Sequence, residues 1–194
     1  MKSVTLPFLA AFLLVIFPGS ESRAGNALLF NSNQRTRALI PDSESLDIDG
    51  RAITMEAWIN LPNPQADVEN TIMNKENSYE LHVRRGLFQV AIRTNLQWRW
   101  LGAGNNIQPN RWYHVAATYD GRVIRVYVNG EQTSTHNWSG NIVPVNDPFY
   151  IGNRPHGDFA HGTTGLIDEV RVWNVTRTVD QLRSNMNVML SGDE

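Results

Sequence analysis

Apolar and polar positions alternate with a period of two through residues 111–131, RWYHVAATYDGRVIRVYVNGE, on both sides of Asp120-Gly121. That pair favours a two-residue turn with positive φ, so the stretch predicts a β-hairpin. With Tyr119 and Arg122 flanking the turn, the expected partners are Thr118 with Val123, Ala117 with Ile124, Val115 with Val126 and Tyr113 with Val128. One face then carries Tyr113, Val115, Ala117, Ile124, Val126 and Val128 and belongs to a core. The other carries Trp112, His114, Arg125, Tyr127 and Asn129, which makes it either the covered back of a sheet or a surface for contact. Asn129-Gly130 is a second turn of the same kind and starts a third strand near Gln132.

The same pattern recurs along the chain. Short apolar runs at 27–30 and 37–40 are closed by polar residues and by Pro41. In ITMEAWIN, residues 53–60, Ile53, Met55, Ala57 and Ile59 share one face and Thr54, Glu56 and Trp58 the other. Residues 79–83 and 87–92 flank Arg84-Arg85-Gly86 as a further hairpin, and in QWRWL Trp98 and Trp100 fall on one side and Arg99 on the other. Strands follow at 149–152 and 166–173, separated by a loop rich in glycine and histidine. Thr178-Val179-Asp180-Gln181 has the form of a capping box and predicts one short helix from residue 179 to about 186. About ten short strands without intervening helices predict an all-β fold, an antiparallel two-sheet sandwich with one short C-terminal helix.

Composition narrows the function classes. The chain has 194 residues, a formal net charge of -2 and no cysteine. It offers no disulfide framework, no thiolate metal site and no thiol nucleophile. Its near-neutral charge gives no general reason to bind nucleic acid or an acidic membrane. Residues 1–24 place Lys2 before an apolar run and then small residues ending at Ala24, the order of a secretory signal peptide. The run is too short for a membrane span, so the expectation is a secreted or extracytoplasmic domain over 25–194 with no stable span after signal cleavage.

ITMEAWIN, RWYHVAATYDGRVIRVYVNGE, FYIGNR and GLIDEVRVWN resemble, in order and spacing, the LamG-like jelly-roll domain of the concanavalin A-like lectin/glucanase superfamily. The resemblance covers nearly all of residues 25–194. It implies a jelly-roll sandwich in a binding or adhesive role, with a glycan or an extracellular protein as partner and often a bound calcium. Where family members open with Phe-Asp-Gly, this chain has Phe30-Asn31-Ser32, so Asn31 and Asp168 of GLIDEVRV are the metal ligands the resemblance implies. Alternation places Asp168 on the apolar face with Leu166, Val170 and Val172, where a carboxylate needs a partner. Asp42, Glu44, Asp47 and Asp49 lack the spacing of a helix-loop-helix calcium loop and read as a solvated acidic loop.

Catalysis finds little support in the sequence. The Glu-x-Asp-x-x-Glu pattern of the laminarinase-like relatives is absent, and adjacent Asp168 and Glu169 point to opposite faces. No Gly-x-Ser-x-Gly is present to expose a nucleophile. The residues suited to a glycan ligand are the aromatics Trp98, Trp100, Trp112 and Tyr127, with Arg99, His114, Arg125, His156 and Asp158 as polar partners. His156, Asp158 and His161 also share one loop in a loose metal-ligand spacing. Asn137-Trp138-Ser139 and Asn174-Val175-Thr176 fit the glycan acceptor pattern.

Overall fold

The computed structural model describes residues 27–155 and 160–190, without side-chain detail at 103–105. The expected leader at 1–24 and the residues His156 and Asp158 lie outside the described residues. Among the described residues no helix is long and apolar enough to cross a membrane.

Among the described residues twelve strands form two six-stranded antiparallel sheets. They are β1 (Leu28–Phe30), β2 (Ala38–Ile40), β3 (Ile53–Asn60), β4 (Asn70–Lys75), β5 (Tyr79–Arg84) and β6 (Leu87–Thr94). After them come β7 (Gln97–Asn106), β8 (Trp112–Tyr119), β9 (Val123–Val128), β10 (Glu131–Asn137), β11 (Phe149–Ile151) and β12 (Gly165–Trp173). The first sheet runs β1-β12-β3-β8-β9-β10 and the second β2-β11-β4-β5-β6-β7. Their inner faces meet in one core, where Met55, Ile59, Val115 and Val126 face residues such as Leu81, Phe88, Val90 and Ile151. The expected jelly-roll sandwich is the observed architecture, and helix α1 (Val179–Asn185) carries the expected capping box at Thr178 and Gln181.

The central hairpin forms with a different register. Tyr119 pairs with Ile124, Ala117 with Val126 and Val115 with Val128, two residues away from the expected pairs. Asp120 is the reason: its Oδ1 accepts from the N–H groups of Arg122 and Val123, at 3.0 and 2.8 Å, and Asp120 N–H donates to Val123. Asp120 therefore closes the turn from its first position and Gly121 takes the positive φ of 84° in its centre. A slip of two leaves every side chain on its expected face, so the core is unchanged. At the next turn Asn129 and Gly130 adopt φ of 51° and 73°, and β10 begins at Glu131 as expected.

The last strand shows the opposite case. Asp168 pairs with Trp58 and Arg171 with Glu56, so β12 spends three steps where β3 spends two. Glu169 takes a φ of 51° in this bulge. Ile167, before the bulge, is a fully buried core residue, whereas Val170 and Val172, after it, pack against the same core. Alternation read straight through GLIDEVRV put Asp168 on the apolar face; the extra residue reverses that, and Asp168 lies on the outer face opposite Trp58.

The acidic loop is not simply solvated. Leu46 and Ile48 insert into the core and draw the loop down, and Asp42 and Asp47 reach the fully buried Lys75 Nζ at 2.5 and 2.8 Å. Two carboxylates around one internal ammonium satisfy a charge that would otherwise be very costly to bury.

Candidate functional site

The two outer faces differ in what covers them. On the first sheet, alternation along β3, β8 and β9 turns Glu56, Trp58, His114, Ala116 and Tyr127 outward, and α1 lies over them. Leu182 of α1 is fully buried against Ala116 and Tyr127. Trp58 Nε1 donates to the carbonyl of Met186 at 2.6 Å, and Arg171 donates to those of Asn185 and Val188. Beneath the helix, Glu56 accepts from His114 Nε2 at 3.0 Å and Trp173 Nε1 at 2.8 Å, with the Arg171 guanidinium 3.7 Å away. Burial alone pushes the Glu56 carboxyl up, but those two bonds and the neighbouring positive charge outweigh it and hold it below its ordinary range.

These contacts correct part of the sequence reading. His114 and Tyr127 are closed off from any ligand, because the helix that the capping box starts folds back over them. Arg125 is engaged by Asp120 Oδ2 at 2.6 Å, and Trp112 sits half-buried at the start of β8 on this same first sheet. Arg99 points away from its tryptophan neighbours and lies 5.5 Å over the Trp138 ring.

Among the described residues no helix lies over the outer face of the second sheet. Register aligns one row straight across it: Leu39, Tyr150, Asn74, Glu80, Ala91 and Trp100. The adjoining row brings His82 opposite Gln89, and Gln89 opposite Gly102. Trp98 and Trp100, two residues apart on β7, set their rings 5.5 Å apart with 30° between the planes. Trp100 is 45% exposed, a large value for a tryptophan on a sheet face. The small Ala91 beside it leaves space for the His82 ring, 5.5 Å from Trp100. Arg154, from the segment after β11, spreads its guanidinium 5.5 Å over the same indole. Arg37 secures that segment by donating to the carbonyls of Arg154 and Pro155 while stacking on Tyr150.

Below the tryptophans lies a buried polar network that the sequence reading did not single out. Glu80 Oε2 accepts from Arg154 at 2.7 Å and Asn74 at 2.8 Å, and Glu80 Oε1 lies 3.0 Å from His82 Nδ1. Glu69, from the loop before β4, reaches the same guanidinium at 3.0 Å. Burial pushes the Glu69 carboxyl up, with the adjacent Glu80 adding to it; for Glu80 the bonds from His82 and Arg154 outweigh burial and hold it low. The alternation of β5 was the available signal for Glu80 and His82, since Tyr79, Leu81 and Val83 take the core face. Glu69 and Arg154 come from loops, and no local pattern announces them.

The implied ligands Asn31 and Asp168 are not brought together. β1 pairs with β12 as Leu28 with Ile167 and Phe30 with Gly165, which sets Asn31 beside Thr164 and Asp168 beside residue 27. Four steps along a strand are about 13 Å, whereas two ligands of one calcium ion lie within about 5 Å of each other. Asn31 instead caps the short 3-10 turn Ser32–Gln34, its Oδ1 accepting from Asn33 N–H at 3.0 Å.

The comparisons agree with this architecture. Over 88 residues the chain is 32% identical to mouse pappalysin-1, a match covering 44% of this chain and 5% of that protein. It thus spans a small fraction of the curated relatives it matches. An inferred carbohydrate-binding protein from Bacteroides ovatus is 29% identical with a TM-score of 0.67, over 82% of this chain and 46% of that one. Domain 4 of AbnA, a GH43 extracellular arabinanase from Geobacillus stearothermophilus whose structure holds arabinotriose, has a TM-score of 0.64 at 17% identity, over 85% of this chain and 78% of that one. A family model described as the concanavalin A-like lectin/glucanases superfamily matches residues 32–183, most of the chain, and to that superfamily this chain belongs.

Proposed function

We propose that this protein is a non-catalytic carbohydrate-binding module, exported by its leader, that holds a glycan on the outer face of the second sheet. The observation that carries the reading is the Trp98 and Trp100 pair, an apolar shelf with Trp100 open to solvent and polar groups beside it. Sugar rings present apolar C–H faces to such shelves, and Arg154, beside the same indole, and Gln89, in the adjoining row, stand near to meet hydroxyls. The Bacteroides ovatus relative supports a carbohydrate ligand, and the AbnA domain supports the fold as a frame for one.

Glu69 and Glu80 are two carboxylates side by side, the raw material of a glycosidase. Their surroundings argue for structure instead. The Glu80 side chain is 1% exposed and bound by three partners, and Arg154 bridges the two acids on the solvent side. With Arg154 across both acids, neither carboxylate is placed to reach an anomeric carbon.

Calorimetric titration with a panel of plant and animal oligosaccharides tests the proposal. The expected result is binding that weakens roughly thirty-fold in Trp100→Ala, about 2 kcal/mol for the loss of a central aromatic contact. Binding untouched by that substitution, or by none of the panel, overturns the site; sugar released from a polysaccharide overturns the non-catalytic reading.

A further inference from the structure

Glu69, Glu80 and His82 form, among the described residues, a group of carboxylates and imidazole whose ligand atoms all lie within 4.8 Å of one another. Proximity of acids is common and proves little by itself. The hydrogen bonding around this group is more specific. Gln89 Oε1 faces His82 Nε2 at 2.6 Å, and an amide oxygen accepts, so Nε2 carries the ring proton. In the neutral ring Nδ1 is then a lone pair. It points at Glu80 Oε1 from 3.0 Å, a carboxylate oxygen that is also a lone pair. Both residues are 1% exposed, and neither atom has a partner other than the one it faces. Two buried acceptors so placed need a positive charge between them, and it is supplied either by a proton, as in the ion pair with Glu80, or by a metal ion in the proton's place.

We propose that this gap is a site for one divalent transition ion of the zinc class, ligated by His82 Nδ1, Glu80 Oε1 and the Glu69 carboxylate. An imidazole nitrogen with two carboxylates suits zinc or manganese and disfavours calcium, which takes oxygen throughout. The outer shell has the form such sites need. His82 donates its other N–H to Gln89, fixing the ring, and Asn74 Nδ2 holds Glu80 Oε2 at 2.8 Å, leaving Oε1 directed inward. A separation of 3.0 Å between nitrogen and oxygen fits two ligands each about 2.0–2.1 Å from one ion. Entry is from the solvent side, where the Glu69 and Arg154 side chains are 13% and 21% exposed. The Arg154 guanidinium contacts both carboxylates there, so it competes with the ion for the same negative charge.

That competition gives the test its sign. The full chain, stripped with chelator and titrated with zinc alone in the absence of sugar, is expected to bind one ion per chain by calorimetry and by elemental analysis after dialysis. Gln89→Leu should weaken binding by about ten-fold or more, and His82→Ala should abolish it at this stoichiometry. Arg154→Ala should strengthen binding several-fold, a gain that misfolding or a purely structural cluster cannot produce. Equal affinity for calcium, no zinc retained at millimolar concentration, binding indifferent to His82→Ala, or weakening in Arg154→Ala each overturns the site. Because no glycan enters the experiment, its failure leaves the carbohydrate reading standing, and the reverse holds as well.

Discussion

The two sheets share one core yet end in contrasting outer faces. On the first, three aromatic rings and a histidine turn outward and are sealed by a seven-residue helix, with Glu56 as the common acceptor beneath it. On the second, Trp100 stays open beside Trp98, and the buried charges below them come from β5 and from loops. Aromatic content is similar on both sides. What separates a covered face from an open one here is whether another part of the chain has already taken the contact.

The sharpest way to break that contrast is Glu56→Ala, which strands His114, Trp173 and Arg171 under the helix. A loss of about 3–5 kcal/mol in urea-induced unfolding is expected, as for breaking a buried pair from one side. A loss below about 1 kcal/mol would mean that the closed face is held by something else. Leu182→Ala comes next: removing the one fully buried side chain of α1 should cost about 2–5 kcal/mol, with glycan affinity unchanged because the open face is on the other sheet.

Acid distinguishes the faces more gently. The Glu56 carboxyl is held below its ordinary 4.5 in the folded chain, so its contribution is complete above that value and is lost as pH falls through the lower folded one. Glu69, raised by burial, runs the other way and costs stability as pH rises toward its folded value. Glu56→Gln should therefore flatten the acid limb of a stability profile followed by thermal melting; an unchanged limb would remove Glu56 from it. The smallest effect is expected for Trp100→Ala on stability, about 1 kcal/mol or less given its exposure, in contrast to its large effect on binding.

Much of this was legible beforehand, and the failures are instructive. The central hairpin was placed with its register wrong by two, because Asp120 takes the first turn position; its core face survived, since side chains repeat every two residues. A single extra residue in β12 was enough to carry Asp168 from the apolar face to the outer one. The bulge has no signature in the alternation of GLIDEVRV, and the metal pair inferred from the family pattern failed for a related reason: sequence order said nothing of the four-step offset between Asn31 and Asp168 along the β1–β12 ladder. That Trp98 and Trp100 share one face follows from a local rule, the two-residue repeat of a strand. Glu69 and Arg154, which complete the open face, are loop residues that obey none.

The chain by itself determined its strands, most of their inward-facing residues and the start of its helix, because each of these follows from periodicity or capping within a few residues. It also marked His114 and Tyr127 as candidates equal to Trp100. Only the tertiary structure sets them apart in exposure: α1 docks on the first sheet through contacts such as Trp58 with Met186, 128 residues apart, and leaves Trp100 open on the second. Long-range docking of that kind depends on which surfaces meet once the sheets have stacked, and no local pattern encodes it.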